Sequence, residues 1–217
     1  MKTGVDFAGR KPGSDPVVLV HGIWMPTLVM AWLGRRLAGC GFRPLSFGYS
    51  DLGASPAENA ARLHAFIRGL RVGRVHLLAH SLGGIVVLHL FERFPEQPPG
   101  RVLLLGSPVL GSGVARRLGA TPGLRWLLGR SGERGLLDGA PRWRGERDLG
   151  VIAGTRGPGL GTLMGGIARP NDGTVAVAET RLAGAADFLA LPVSHARLLF
   201  SSRVADASCR FLGQGRF

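Results

Sequence analysis

Val75-His76-Leu77-Leu78-Ala79-His80-Ser81-Leu82-Gly83-Gly84 passes from an apolar run into a turn of small residues with a serine at its tip. Ile85-Val86-Val87-Leu88-His89-Leu90-Phe91 then begins a helical pattern. Strand, sharp turn, helix, with Ser81 at the corner, is the way a chain lifts one hydroxyl above the edge of a sheet. The geometry dictates the neighbours. A serine at such a corner is held in a strained backbone conformation, and strand and helix pass so close that the positions two before and two after it must be small. Ala79 and Gly83 satisfy that, alanine standing where the commonest form of the pattern has glycine. The following helix aims its N-terminus at the hydroxyl, so that its dipole and the Leu82 N–H suit a developing oxyanion. A buried turn serine capping a helix would read the same over these few residues, so the rest of the chain must decide.

Upstream, Val17-Val18-Leu19-Val20 is a short, continuously apolar strand, as expected of a sheet covered on both faces, and it ends in His21-Gly22-Ile23-Trp24. Residues 1–16 are polar, with Gly and Pro, and read as a loose lead-in. Thr27 to Ala38 is helical by pattern, stopped by Gly39 and Gly41. Arg43 to Phe47 is a second strand; Ser55 caps and Pro56 opens a helix running to Leu70. The helix after Ser81 spans Gly84 to Phe94, and Arg101 to Leu105 is the next strand, closing in Gly106-Ser107-Pro108. This alternation predicts an α/β fold, a parallel sheet with helices on both faces. Ligands bind such sheets at the carboxyl ends of the strands, and His21, Ser81 and Ser107 should share that rim.

Residues 111–147 break the alternation. Gly and Arg dominate, with leucines and two tryptophans interspersed, and the segment reads as one or two short amphipathic helices forming a small cap over the rim, or else as an ordinary crossover. Leu149 to Gly154 resumes as a strand, residues 155–170 form a Gly-rich loop, Asn171-Asp172-Gly173 is a turn, Asp187 to Leu191 is the last strand, and Arg197 to Leu212 is a closing helix. No internal repeat or boundary appears, so residues 1–217 read as one domain.

An activated serine needs a general base, and the base an orienting acid; with this corner the chain order is serine, acid, histidine. Two histidines follow Ser81. His89 lies two turns into the helix and cannot reach back, which leaves His195, in a loop after an apolar strand. His80 adjoins the serine but should point into packing. The candidate acids between Ser81 and His195 are Glu92, Glu96, Glu133, Asp138, Glu146, Asp148, Asp172, Glu179 and Asp187. Asp172 is preferred, because its turn exposes a carboxylate at a strand end; Asp148 and Asp187 sit at the wrong ends of strands. A second oxyanion donor is expected from the loop after the first core strand, where Gly22 admits close approach and the Ile23 N–H joins that of Leu82.

The 217 residues allow a sizeable core, and a composition 45% hydrophobic and 19% charged carries no signature of disorder. The formal net charge is +13, with Lys2 and Lys11 the only lysines. No run of five like charges and no nucleic-acid motif occurs, so the excess reads first as an ordinary basic surface; an anionic membrane surface is the alternative partner, and nucleic acid is not expected. Cys40 and Cys209 read as free thiols of a reducing compartment. The N-terminus has no apolar core of a signal peptide and no stretch reaches membrane-spanning length, which together predict a cytoplasmic protein.

With these residues in place, the chain resembles the α/β-hydrolase superfamily, and within it the small bacterial lipases and esterases. The likeness runs from Val17 to the terminal helix and rests on Val18-Leu19-Val20-His21-Gly22-Ile23, Ala79-His80-Ser81-Leu82-Gly83-Gly84, Gly106-Ser107-Pro108 with Gly111-Ser112, Asn171-Asp172-Gly173-Thr174-Val175, and His195 before a final helix. The Ala-His-Ser-x-Gly-Gly form is also similar to inositol-deacylase-like lipases. The resemblance implies Ser81 as nucleophile, Asp172 as acid, His195 as base, and Ile23 and Leu82 as oxyanion donors. It implies cleavage of a small-molecule or lipid ester through an acyl-enzyme, with Trp24, Met25 and apolar residues of 111–147 lining an acyl pocket. Many larger relatives carry a calcium site, but this sequence shows no carboxylate cluster that would build one, so no metal and no cofactor are expected. An acyltransferase or amidase on the same three residues, and a non-catalytic basic binding protein of the same fold, are the competing readings.

Overall fold

The computed structural model describes residues 4–6, 14–159, 161–162 and 167–217. Its sheet has seven strands: β1 (Gly4–Asp6), β2 (Pro16–Val20), β3 (Arg43–Phe47), β4 (His76–His80), β5 (Val102–Leu105), β6 (Leu149–Gly154) and β7 (Asp187–Leu191). They lie in the order β1-β3-β2-β4-β5-β6-β7. β2 to β7 are parallel, and β1 pairs antiparallel with β3. The lead-in is therefore not wholly loose: residues 4–6 form the edge strand, while residues 1–3 and 7–13 lie outside the described residues. The helices are α1 (Ala31–Gly39), α2 (Pro56–Leu70), α3 (Leu82–Arg93), α4 (Gly113–Ala120) and α5 (Ser202–Gln214).

The period of two explains why the central strands are apolar throughout. Val18, Val20, Leu77 and Leu104 turn to one face and join the core under α2 and α3. Val17, Leu19, Leu78 and Leu103 turn to the other and pack with Leu33 and Leu37 of α1 and Val204 and Phe211 of α5. Each such side chain removed from water contributes about 1.5–3 kcal/mol, enough that neither face can be left polar. At the start of α2, the Ser55 hydroxyl accepts from the Glu58 N–H at 3.3 Å and the Glu58 carboxylate accepts from the Ser55 N–H at 2.8 Å. This reciprocal cap, with Pro56 in the first turn, is worth about 1 kcal/mol.

Three boundaries depart from the expected ones, the first being that Thr27–Met30 is a 3-10 turn and the α-helix begins at Ala31. The helix after Ser81 starts at Leu82, two residues early, because its glycines answer to packing and do not delay the helix. The closing helix is split: a 3-10 turn at Ala196–Leu199 precedes α5. No helix among the described residues is long and apolar enough to cross a membrane.

The cysteines are a correction. Cys40, just past α1, and Cys209, in α5, form a disulfide with Cα atoms 6.1 Å apart. α1 and α5 share the sheet face that brings them together, which two cysteines 169 residues apart do not announce. The free-thiol reading fails, and the cytoplasmic placement loses the support it drew from reduced thiols. A cross-link over so long a loop restricts the unfolded chain strongly. Reduction, or Cys209→Ser, is expected to cost about 2–5 kcal/mol in denaturant unfolding; an unchanged midpoint after reduction would contradict a formed bond.

Candidate active site

Ser81 stands between β4 and α3 with φ 53° and ψ −122°. That region is almost closed to residues with a side chain and costs of order 1–3 kcal/mol. The neighbours impose it. The Ser81 N–H donates to the Leu105 carbonyl of β5 at 2.9 Å, and the Ser81 carbonyl accepts from the Gly84 N–H at 3.0 Å. α3 crosses the end of β2 so closely that a Cβ on Gly83 would lie 2.4 Å from the Val20 carbonyl oxygen. Only glycine fits there, as the smallness rule required.

Asp172 and His195 are brought together by the chain segments that follow β6 and β7. The Asn171-Asp172-Gly173 turn is present, the Asn171 side-chain oxygen accepting from the Gly173 N–H at 3.0 Å. It does not expose its carboxylate, however: Asp172 is only 1% accessible. One oxygen accepts from the Thr174 and Val175 N–H groups at 2.9 and 2.7 Å, and the other accepts from His195 Nδ1 at 2.7 Å. The His195 N–H also donates to the Asp172 carbonyl, at 3.0 Å. With three hydrogen bonds holding the carboxylate and Nδ1 occupied as donor, the imidazole is oriented and Nε2 is the nitrogen that carries the lone pair. The rival acids are engaged elsewhere. Asp187 accepts from the Phe188 and Phe217 N–H groups, Asp148 pairs with Arg101, and Glu179 accepts from the N–H at the start of α4.

The loop after β2 presses on the serine. A Cβ on Gly22 would lie 3.0 Å from Ser81 Cβ. Three contacts fix the loop. The Tyr49 hydroxyl donates to the His21 carbonyl at 2.7 Å; the Tyr49 and His21 rings stack at 4.3 Å; and the Trp24 N–H donates to the Asp51 carboxylate. Trp24 itself adopts φ 58°. Ile23 lines the same cavity as Ser81, and the Leu82 N–H, first in α3, has no acceptor within the helix. Tyr49 and Asp51 were not singled out from sequence; a lone tyrosine and a loop aspartate carry no spacing signal.

Ser81, His195, Ile23, Trp24 and Met25 line one cavity of about 360 Å³, closed on the far side by Val114, Ala115, Leu118, Leu128 and Leu136. These five residues belong to α4 and to the segment after it, which includes a 3-10 turn at Arg125–Gly132. It is fastened down. The Trp24 indole N–H donates to the Leu127 carbonyl at 2.9 Å, the Arg130 guanidinium donates to Glu58 at 2.7 Å, the Arg130 N–H donates to the Leu52 carbonyl at 2.9 Å, and the Ser131 hydroxyl donates to the Asp51 carbonyl. Its arginines are partly consumed in this way, Arg134 by Glu92 and Arg147 by the carbonyls of Val75, Gln97 and Pro98. A larger hollow, of about 730 Å³ beside Arg156 and Arg169, contains neither Ser81 nor His195.

His80 makes a contact that the sequence did not reveal. It is fully buried, as expected, but what it packs against is His195: the ring centroids lie 4.6 Å apart and His80 Nε2 donates to the His195 carbonyl at 3.2 Å. The signal was the strand period, since His80 shares a sheet face with Leu78, the face covered by the C-terminal elements.

Burial holds four imidazoles below their ordinary range: His21, His80, His89, and His76, which is lowered to about 4 against the opposing pull of Asp15. The unfolded chain takes up protons at these histidines as pH falls through about 6.5, and the folded chain does not. Stability is then complete above that value and falls as pH drops toward 4. Glu58, held down to about 2 by its Ser55 N–H and by Arg130, acts in a lower window, losing its contribution only below the ordinary carboxylate range. Thermal midpoints are expected to decline between pH 7 and pH 4.5, and His76→Gln should flatten the decline. A midpoint constant over that window would contradict neutral buried histidines.

Residues 17–212 match the Alpha/beta hydrolase family, and the chain belongs to that family. Over 100 residues, 44% of this chain and 35% of the relative, it is 33% identical to "Putative carbamate hydrolase RutD" of Pantoea ananatis, so the match spans about a third of that relative's length. Among solved structures it is similar to the mature form of the Bacillus licheniformis lipase BlEst2, with a TM-score of 0.74 at 20% identity over 99% of this chain and 98% of that one. It is also similar to the enol-lactonase of Burkholderia xenovorans LB400, at 0.68 and 15% over 98% and 95%. At these identities the likeness is one of fold.

Proposed function

We propose that the protein is a serine hydrolase of carboxylic esters, with Ser81 as nucleophile, His195 as general base and Asp172 as the acid that orients it. The observation that carries this reading is that a strained corner serine and an Asp172-bound histidine line the same apolar cavity. His195 Nε2 takes the Ser81 proton as Oγ attacks the ester carbonyl. The carbonyl oxygen gathers charge against the Ile23 and Leu82 N–H groups, each worth about 10²–10³ in rate. His195 then protonates the leaving alcohol, and a water deprotonated by the same nitrogen releases the acid. Asp172 holds Nδ1–H throughout and stabilises the imidazolium.

The cavity wall supports an acyl chain as the group that occupies it. Val114, Ala115, Leu118, Leu128 and Leu136 offer no charge and no hydrogen bond to an acid or amine. This favours an ester with an apolar acyl part over a small polar carbamate, the group named for one relative. An amidase or acyltransferase would use the same three residues and is separated from a hydrolase by its products. The test is turnover of p-nitrophenyl esters of increasing chain length, wild type beside Ala115→Trp. A side chain that fills the cavity should move the optimum to shorter acyl groups. An optimum unmoved by Ala115→Trp would put the acyl chain elsewhere; no turnover of any ester, with free acid absent, would remove the hydrolase reading.

A further inference from the structure

We infer that His80 is a positioning residue, a buried brace that sets the distance between the loop carrying Ile23 and the loop carrying His195. The inference deepens the proposed ester hydrolysis and rests on it. His80 is fully buried at the end of β4, next to Ser81 in the chain yet on the opposite side of the strand. Its ring reaches two other segments at once. On one side Nε2 donates to the His195 carbonyl at 3.2 Å, with the two rings 4.6 Å apart. On the other side Nδ1 faces Gly22, where a Cβ would lie 3.1 Å away. Nδ1 has no hydrogen-bond partner among the described residues, so the side chain is held by one hydrogen bond and by shape.

The His195 backbone is held from two sides, its N–H donating to the Asp172 carbonyl at 3.0 Å and its carbonyl accepting from His80 Nε2 at 3.2 Å. The His195 ring is oriented by Asp172, and the contact with the His80 ring is a hydrogen bond that ties the His195 backbone to the end of β4. The same ring limits how far Gly22 can sink toward the strand. Nucleophile, base and oxyanion loop therefore take their spacing from one rigid side chain, and displacement of a reacting group by about 1 Å can cost about 10²-fold in rate. His21 and His195 are the titratable groups near it; an uncharged His80 adds no repulsion when His195 becomes an imidazolium during the reaction. His80 touches neither substrate nor the transferred proton, so its loss should appear in kcat and not in KM.

The test compares His80→Gln with His80→Asn. Both keep a polar, uncharged side chain in a site that tolerates one. The glutamine amide reaches to the position of Nε2, and the asparagine amide ends short of the His195 carbonyl. With p-nitrophenyl esters, His80→Asn is expected to lower kcat by about 10–100-fold with KM within about twofold, and His80→Gln to recover most of the loss. A second readout needs no turnover: the low-field proton resonance of the His195 Nδ1–H to Asp172 hydrogen bond should persist in His80→Gln and broaden in His80→Asn. Equal kcat in the two variants, or a loss confined to KM or to thermal stability, would overturn the brace. Should the wild type turn over no ester, the hydrolase reading fails separately, and the resonance still decides the role of His80.

Discussion

Ser81→Gly is expected to abolish ester turnover and to raise the thermal midpoint in the same stroke. The loss should be at least about 10⁴-fold, since removing the nucleophile of a serine hydrolase leaves only binding and oxyanion stabilisation. The gain follows from the backbone. At φ 53° and ψ −122° Ser81 carries strain of order 1–3 kcal/mol, which glycine does not feel. Against it stands the extra freedom glycine gives the unfolded chain, about 0.5–1 kcal/mol. The balance is about 1 kcal/mol of stabilisation, or a rise of about 2–4 °C for a chain of this length. Ser81→Ala separates the two effects, because alanine loses the hydroxyl and keeps the strain. Turnover should vanish in both variants and the midpoint should rise only in glycine. A midpoint that falls in Ser81→Gly would mean the corner is not strained.

The second large effect is that of Asp172→Asn. The carboxylate accepts three hydrogen bonds, two from backbone N–H groups and one from His195 Nδ1. An asparagine that keeps its oxygen on Thr174 and Val175 must turn its NH₂ toward His195. Two donors then face each other, and the imidazole escapes by moving its proton to Nε2, where it can no longer accept from Ser81. The fold remains and turnover drops by about 10⁴-fold. Asp187→Asn is the control. Asp187 receives the Phe188 and Phe217 N–H groups at the far end of β7, so its loss should lower stability and leave turnover near that of the wild type. If the two variants exchange these outcomes, the acid is misassigned.

The fold was legible because its decisive signals are local. The order strand, turn, helix around Ser81, the unbroken apolar runs of β2, β4 and β5, and the Ser55-Pro56 helix start each lie within a few residues. Each also has a steric or hydrogen-bonding cause that context does not override. His195 was reached by elimination along the chain, which needs only the order of residue types, whereas Asp172 was preferred for a turn expected to expose its carboxylate at a strand end. What stayed hidden was of longer range. The pairing of Cys40 with Cys209 depends on α1 and α5 sharing one sheet face. The inward roll of the Asp172 carboxylate depends on two N–H groups that the turn presents only once folded. The fastening of the cap by Trp24, Arg130 and Ser131 joins residues up to 103 apart. His80 was assigned to packing correctly, but the packing partner was itself a candidate functional residue, and only the alternation along β4 hinted at it.

The most direct test of the account is the site of covalent reaction with a fluorophosphonate, read by peptide mass spectrometry on the folded protein. Such a probe is attacked at phosphorus by an activated serine, with fluoride leaving, and requires no knowledge of the natural ester. One adduct is expected, on the peptide containing Ser81, formed quickly in the wild type, slowed strongly in Asp172→Asn and absent in Ser81→Ala. An unlabelled wild type, or an adduct on another serine such as Ser112 or Ser107, would contradict it.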